Sequence, residues 1–265
     1  VVYEELGNPR ASALYLEEAL RTYSEDPLVH LKAGRLFYQR GQLERAREHL
    51  ERALMLRPVY PEAELVLAEV LLEQGLVEQA LESIGAALRA PADEVDREKP
   101  YYLRGIALTR RGRVEEALSA FRQALRERPE DEVTRIAAEN LALEHYDQTQ
   151  GEREVLASYH MEEGLRLEER NFLSAALQAF RRALRLSLDS REARLEYAET
   201  LRLRGRRFRY LTELLVLRDD YGDRDPALVD AIEVYVRGLE GGAASRWSGV
   251  LPPLRGAPQI GRAHV

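Results

Sequence analysis

The chain has 265 residues, of which 32% are charged and 45% hydrophobic, and a formal net charge of −7. A mildly acidic surface argues against nucleic acid as a partner. The absence of cysteine excludes disulfides and thiolate metal sites, and no apolar run approaches the roughly 20 residues of a membrane span.

The predicted elements are all helical. Val1–Leu6 reads as the tail of one helix and Pro9–Tyr23 as its partner. Asp26-Pro27 opens the next pair: Asp26 can cap free N–H groups, and proline fits a first helical turn. That pair is Leu28–Arg40 and Leu43–Leu56, followed by Pro61–Gln74 and Val77–Arg89. Ala90–Arg97 is a longer connection with three inserted residues, and a tolerated surface insertion outweighs a contact loop there. The next pair is Tyr101–Arg111 and Val114–Arg126.

After Asp131 the pattern breaks. Glu132–Leu156 is too short for a full pair. Val133–Tyr146 is predicted as a helix with Ile136, Asn140 and Leu143 along a stripe, Gln148–Glu152 as a polar turn, and Arg153–Arg170 as an unusually long helix. A lone helix followed by an extended one, with a change of direction between them, and a pair with a shortened second helix fit equally well. Ser174–Leu186, Arg191–Arg204 and Phe208–Asp220 resume the series. The loop Asp219–Asp225 is rich in carboxylates, but its spacing does not fit an EF-hand. It reads instead as a turn with Asp225 capping a last helix, Ala227–Leu239. Gly241–Val265 has Gly, Pro and Ser punctuation and no helical period, as expected of a linker or extended tail. Its Trp247 is the one tryptophan of the chain, and docking of Trp247 with Val250–Leu254 is the alternative to an unstructured end. The chain begins within a pair, as expected of a fragment, so a signal peptide or lipid anchor would lie upstream of Val1.

One set of small and turn-forming residues organises these pairs. Glu98–Asp131 carries Gly105, Gly112, Ala117, Ala124 and Pro129, with Leu108 and Phe121 between them. Gly105 and Ala117 allow close helix approach. Gly112 suits a left-handed helix stop, Ala124 admits the next unit, and Pro129 ends the second helix. Copies recur at Gly34, Gly41, Ala46, Ala53 and Pro58; at Ala68, Gly75, Ala80 and Ala87; and at Gly164, Asn171, Ala176 and Ala183. A worn copy has Ala198, Gly205, Leu214 and Leu217, with Tyr210 in an alanine place. Gly7, Ser12 and Ala19 match the second half of the frame. Over most of Val1–Asp223 the chain resembles the tetratricopeptide repeat family, whose period is about 34 residues. The resemblance implies an all-α, right-handed α-solenoid (superhelix) of helix-turn-helix repeats. The expected organisation is an N-terminal array over 1–147, a C-terminal array with a capping helix over 148–240, and a tail over 241–265.

No phosphate-binding glycine loop or nucleophile elbow is present. No two histidines lie at metal-binding spacing on one predicted helix. No catalytic centre, cofactor or metal is expected. The resemblance implies that the first helix of each pair lines a concave face. A first row there is Leu31, Leu65, Tyr102, Met161 and Leu195, read as packing between helices. The rows beyond it hold Arg35, Glu69, Ile106, Leu165 and Glu199, then Tyr38, Leu72, Thr109, Glu168 and Arg202. The candidate partner-binding residues are Arg35, Tyr38, Leu65, Glu69, Leu72, Tyr102, Ile106, Thr109, Leu165 and Glu199. The expected partner is a protein or peptide with an apolar stripe and some basic residues. A clamp for acidic chaperone tails is not expected, because the matching places hold Leu31, Arg35, Leu65, Glu69, Tyr102 and Ile106. The expected function is a non-catalytic scaffold or adaptor. Its alternatives are a structural subunit of a bacterial envelope assembly, or the targeting region of a larger enzyme or signalling protein. Lysine occurs only at Lys32 and Lys99, an arginine bias read as genome composition. It points to a bacterial protein, with cytoplasm and periplasm both left open as its compartment.

Overall fold

The computed structural model describes residues 16, 18–91, 96–147, 151–221 and 226–240. Among them the regular structure is helical throughout, with no strand. The chain divides into two compact units between His145 and Tyr146, and the fold of each is an all-α helical-repeat solenoid.

The first unit contains α1 (Pro27–Gln39), α2 (Leu43–Leu56), α3 (Pro61–Glu73), α4 (Val77–Arg89), α5 (Glu98–Arg110), α6 (Val114–Glu127) and α7 (Glu132–His145). They pack as hairpins, α1 on α2, α3 on α4 and α5 on α6, and each second helix also meets the next first helix. Asp26 caps α1 as expected, its Oδ1 accepting from the Leu28 N–H at 2.8 Å. The predicted start of α5 at Tyr101 is corrected to Glu98. Pro100 sits in the first turn, where its missing N–H breaks no intrahelical bond.

The hairpin bends share one local geometry. Gly41, Gly75, Gly112 and Gly205 have φ near +70°, and Asn171, in the equivalent place, has φ 62°. The Gly41 N–H donates to Tyr38 O at 2.9 Å and the Gln42 N–H to Phe37 O at 2.9 Å. This is a Schellman closure, which satisfies carbonyls left open at a helix end. The same two bonds recur at Gly75, Gly112, Asn171 and Gly205. The residue after each bend then starts the next helix, with the Gln42 carbonyl accepting from the Ala46 N–H at 2.9 Å.

Close approach within a hairpin rests on a small residue facing a large one. A Cβ built on Gly105 would lie 2.3 Å from the Phe121 ring, one on Gly164 2.4 Å from Phe180, and one on Gly34 2.5 Å from Leu50. Phe121, Phe180 and Leu50 are fully covered, with at most 1% exposure. These contacts anchor the cores of three of the hairpins. Helix α7 packs on α6. Its predicted stripe of Ile136, Asn140 and Leu143 is not the packed face: Ile136 and Asn140 are exposed, while Thr134, Ala138, Glu139, Leu141 and Ala142 are buried. Glu139 and Arg135 lie on that inner face among small side chains, so the hydrophobic pattern pointed to the wrong side.

Between α1 and α2 lies a histidine pair. His30 Nε2 is 2.9 Å from the Ser24 carbonyl oxygen, so it carries a proton and donates there. The Nδ1 atoms of His30 and His49 are 3.0 Å apart and share a single proton. Burial lowers the His49 pKa below the usual 6.5, helped by His30 and Arg45 and opposed by Glu48. The unfolded chain therefore binds a proton more readily at this group. Its contribution is complete above pH 6.5 and is lost as pH falls through that value toward the folded pKa. Thermal melts at about pH 7.5 and about pH 5.5, either side of the ordinary histidine value, should show a larger loss for the wild type than for His49→Gln. Equal losses would show that the pair does not sense protons.

The second unit contains α8 (Gly151–Glu169), α9 (Leu173–Leu186), α10 (Arg191–Leu203), α11 (Arg207–Tyr221) and α12 (Pro226–Glu240). Helix α8 is the long helix expected. It starts at Gly151, so Gly151 and Glu152, predicted as turn, are helical. Helix α8 pairs with α9 and α10 with α11, and α12 lies on α11. Tyr210, in its alanine place, is 3% exposed and meets Tyr235 of α12 edge-on at 5.2 Å. Burial, then the charge of Glu199, pushes its hydroxyl up to about 12. The end of α9 is closed from a distance. Buried Arg153 donates through Nε to Leu186 O at 2.6 Å and through Nη2 to Arg185 O at 2.9 Å. The helix expected at Val1–Leu6, the cap expected at Asp225 and the tail from Gly241 onward lie outside the described residues.

Candidate inner surface of the helix pairs

The inner surface follows from which helices touch. In the first unit the first helices of neighbouring hairpins meet directly, α1 with α3 and α3 with α5, and in the second α8 meets α10. Among the described residues the second helices make no comparable contact with one another. A stack closer on one side curves toward that side, so the first helices form the inner face.

Of the candidate positions in the first unit, Arg35 and Thr109 are exposed, and Tyr38, Glu69, Tyr102 and Ile106 are half-buried. Leu65 and Leu72 are buried, with 7% and 4% exposure. The half-buried residues thus offer a surface over a floor to which Leu65 and Leu72 belong. Tyr102 also packs beneath, its ring 6.1 Å from Phe121. Burial raises the hydroxyl pKa of Tyr38, with Glu69 and Glu73 adding to the effect and Arg110 opposing it. Tyr102 is raised by burial, then by Asp131 and Glu98. Both phenols are protonated and able to donate.

Beside this face a cavity of ≈ 380 Å³ is lined by residues including Arg35, Glu62, Leu65, Asp96, Glu98, Lys99 and Arg128. Its charges are matched. Arg35 meets Glu62 at 2.6 Å, and Arg128 meets Asp96 at 2.6 Å and Glu98 at 3.2 Å. Lys99 meets Glu69 at 2.8 Å. Arg110, which the sequence reading did not place here, donates to the carbonyl oxygen of Leu72. Exposed pairs of this kind contribute little to stability, on the order of 0–1 kcal/mol each, and they can exchange partners for a ligand's charges.

In the second unit Leu165 is half-buried. Glu199 is 7% exposed and bound by Arg202, whose Nε lies 2.9 Å from Oε2. A cavity of ≈ 570 Å³ is lined by Ala157, Met161, Leu165, three serines and the carboxylates of Glu154, Glu162, Asp189 and Glu192. Glu154, Glu162 and Glu192 have no ion-pair partner among the described residues. These three carboxylates are unmatched among the described residues, unlike those of the first unit's cavity. Among the described residues no group of three metal-ligating side chains occurs, and no helix is long and apolar enough to cross a membrane.

The Tetratricopeptide repeat family model matches residues 2–61, 31–95 and 65–132. Among solved structures, PilF of Pseudomonas aeruginosa aligns with a TM-score of 0.50 at 15% identity, over 83% of this chain and 87% of that one. YrrB, a TPR protein with an unusual peptide-binding site, aligns with a TM-score of 0.45 at 18% identity, over 81% and 96%. The second TPR domain of human RPAP3, solved with an HSP70 peptide, aligns with a TM-score of 0.40 at 21% identity, over 43% and 97%. The likeness to PilF is one of fold. A search of curated protein sequences found no match.

Proposed function

From the premise that this chain belongs to the tetratricopeptide repeat family, we propose that it is a non-catalytic scaffold or adaptor that holds a peptide or helical segment of a protein partner on its inner face. The observation that carries this reading is the set of half-buried Tyr38 on α1 and Tyr102 and Ile106 on α5, first helices that each touch α3, with exposed Arg35 and Thr109 on the same two helices. A face that is neither sealed nor fully polar suits an apolar anchor, and its flanking carboxylates suit basic residues in the same ligand. In the second unit Leu165 is the corresponding apolar position. Leu65 and Leu72 support the face of the first unit from beneath, and Glu199 is buried within the second. Neither nucleic acid nor a cofactor enters this reading.

The test is capture from an immobilised peptide library in which apolar residues are interleaved with lysine or arginine. Ile106→Ala should weaken capture by roughly fivefold or more, the equivalent of about 1 kcal/mol for an interface anchor, with helical content unchanged. Tyr102→Ala should weaken it as well, with some loss of stability through Phe121. Capture unaltered in both variants would remove the groove from consideration.

A further inference from the structure

We infer that the cleft of the second unit is a docking site for the chain's own residues 241–265, held by arginine against carboxylate over an apolar floor. The floor is Ala157, Met161 and Leu165, and the rim carries Glu154, Glu162 and Glu192. The corresponding cavity of the first unit has each of its carboxylates met by Arg35 or Arg128. The second cleft therefore carries three carboxylates, those of Glu154, Glu162 and Glu192, that no described basic side chain meets.

The occupant follows from the sequence. Residues 241–265 contain Arg246, Arg255 and Arg262 and no Asp or Glu, in a chain whose net charge is −7. Trp247, Val250, Leu251 and Leu254 lie between the first two arginines. That alternation of basic and apolar groups is the complement of a carboxylate rim over an apolar floor. Pro252 and Pro253 stand together, and adjacent prolines cannot continue a helix, so the segment would dock extended. The segment leaves α12 of the same unit after Glu240, and its first 15 residues span up to about 50 Å when extended. The long helix α8, with 19 residues, is about 28 Å. Tethering supplies an effective concentration on the order of millimolar, so a weak site fills. A partner carrying basic and apolar residues would then compete with the chain's own tail for this cleft.

Trp247, the one tryptophan, reports the docking directly in the full chain. Its emission should be blue-shifted, and its quenching by acrylamide severalfold weaker, relative to a synthetic peptide of residues 241–265. Reversing the rim with Glu154→Lys, Glu162→Lys and Glu192→Lys should return both signals to those of the peptide while helicity stays intact. Arg246→Glu with Arg255→Glu should do the same without touching the helical units. Combining the two sets should restore protection. Wild-type Trp247 as quenchable as in the free peptide would overturn the inference, and so would protection that survives both charge reversals. An added Lys- and Leu-containing peptide that binds the rim while Trp247 is exposed throughout would assign the cleft to an external ligand instead. Capture through Ile106 in the first unit is read separately, so either reading can fail alone.

Discussion

Phe121→Ala should lower the stability of the first unit by about 3–5 kcal/mol, the usual cost of truncating a buried aromatic ring, and should reverse the sign of Gly105→Ala. Phe121 is 1% exposed and its ring occupies the space a Cβ on Gly105 would need, 2.3 Å away. In the wild type Gly105→Ala forces the ring or the helices apart, at about 1–3 kcal/mol. In the Phe121→Ala background the ring is gone. The same substitution then gains the helix propensity of alanine over glycine, about 1 kcal/mol, and refills part of the cavity. Denaturant unfolding of the two single variants and the double variant closes the cycle. Gly85→Ala is the control. A Cβ there would meet only the end of the Arg89 side chain, at 3.6 Å, so stability should rise slightly. Additive effects of Gly105→Ala and Phe121→Ala would show that the two side chains do not compete for one space.

Arg153→Met should destabilise the second unit by about 3 kcal/mol, because hydrogen bonds to a charged group are worth about 1.5–3 kcal/mol each and two carbonyls of α9 lose theirs. The last carbonyls of any helix lack partners within it. At α9 the Leu186 carbonyl belongs to a fully buried residue, so water does not replace the guanidinium there. The positive charge also sits at the negative end of the helix dipole. Arg153→Lys should recover only part of the loss, since a single ammonium does not reproduce the planar fork that reaches both oxygens. The readout is denaturant unfolding together with faster amide exchange at the end of α9. A variant within about 0.5 kcal/mol of the wild type, the range of an ordinary surface change, would show that the carbonyls find other donors.

Much of the architecture is local and was legible. A glycine or asparagine at the bend permits a positive φ, and all five bends close with the same pair of bonds. Gly105 was legible as a point of close helix approach, whereas the ring that fills the space facing it, Phe121, and Phe180 facing Gly164, came from the structure. The site was less legible. Frame position placed Leu65, Leu72 and Glu199 alongside Tyr38 and Ile106, yet the first three are buried. Burial of an inner-row residue depends on how closely the next helix approaches, which varies with side-chain size from pair to pair. Helix α7 misled for a related reason: its packed face contains Arg135 and Glu139, so apolar spacing alone selected the opposite face.

The sequence by itself determined the helical hairpins, their bends and the points where backbones come close. These depend on conformational freedom and side-chain volume at positions that recur with the repeat, and both are properties of single residues. Only the tertiary structure decided which inner positions are open, that Arg153 closes a helix ending 33 residues later, that His30 and His49 share a proton, and that one cleft is charge-matched while the other is not. Those features join residues from separate helices. Their energies come from distance, burial and the field of neighbours, which no period in the sequence encodes.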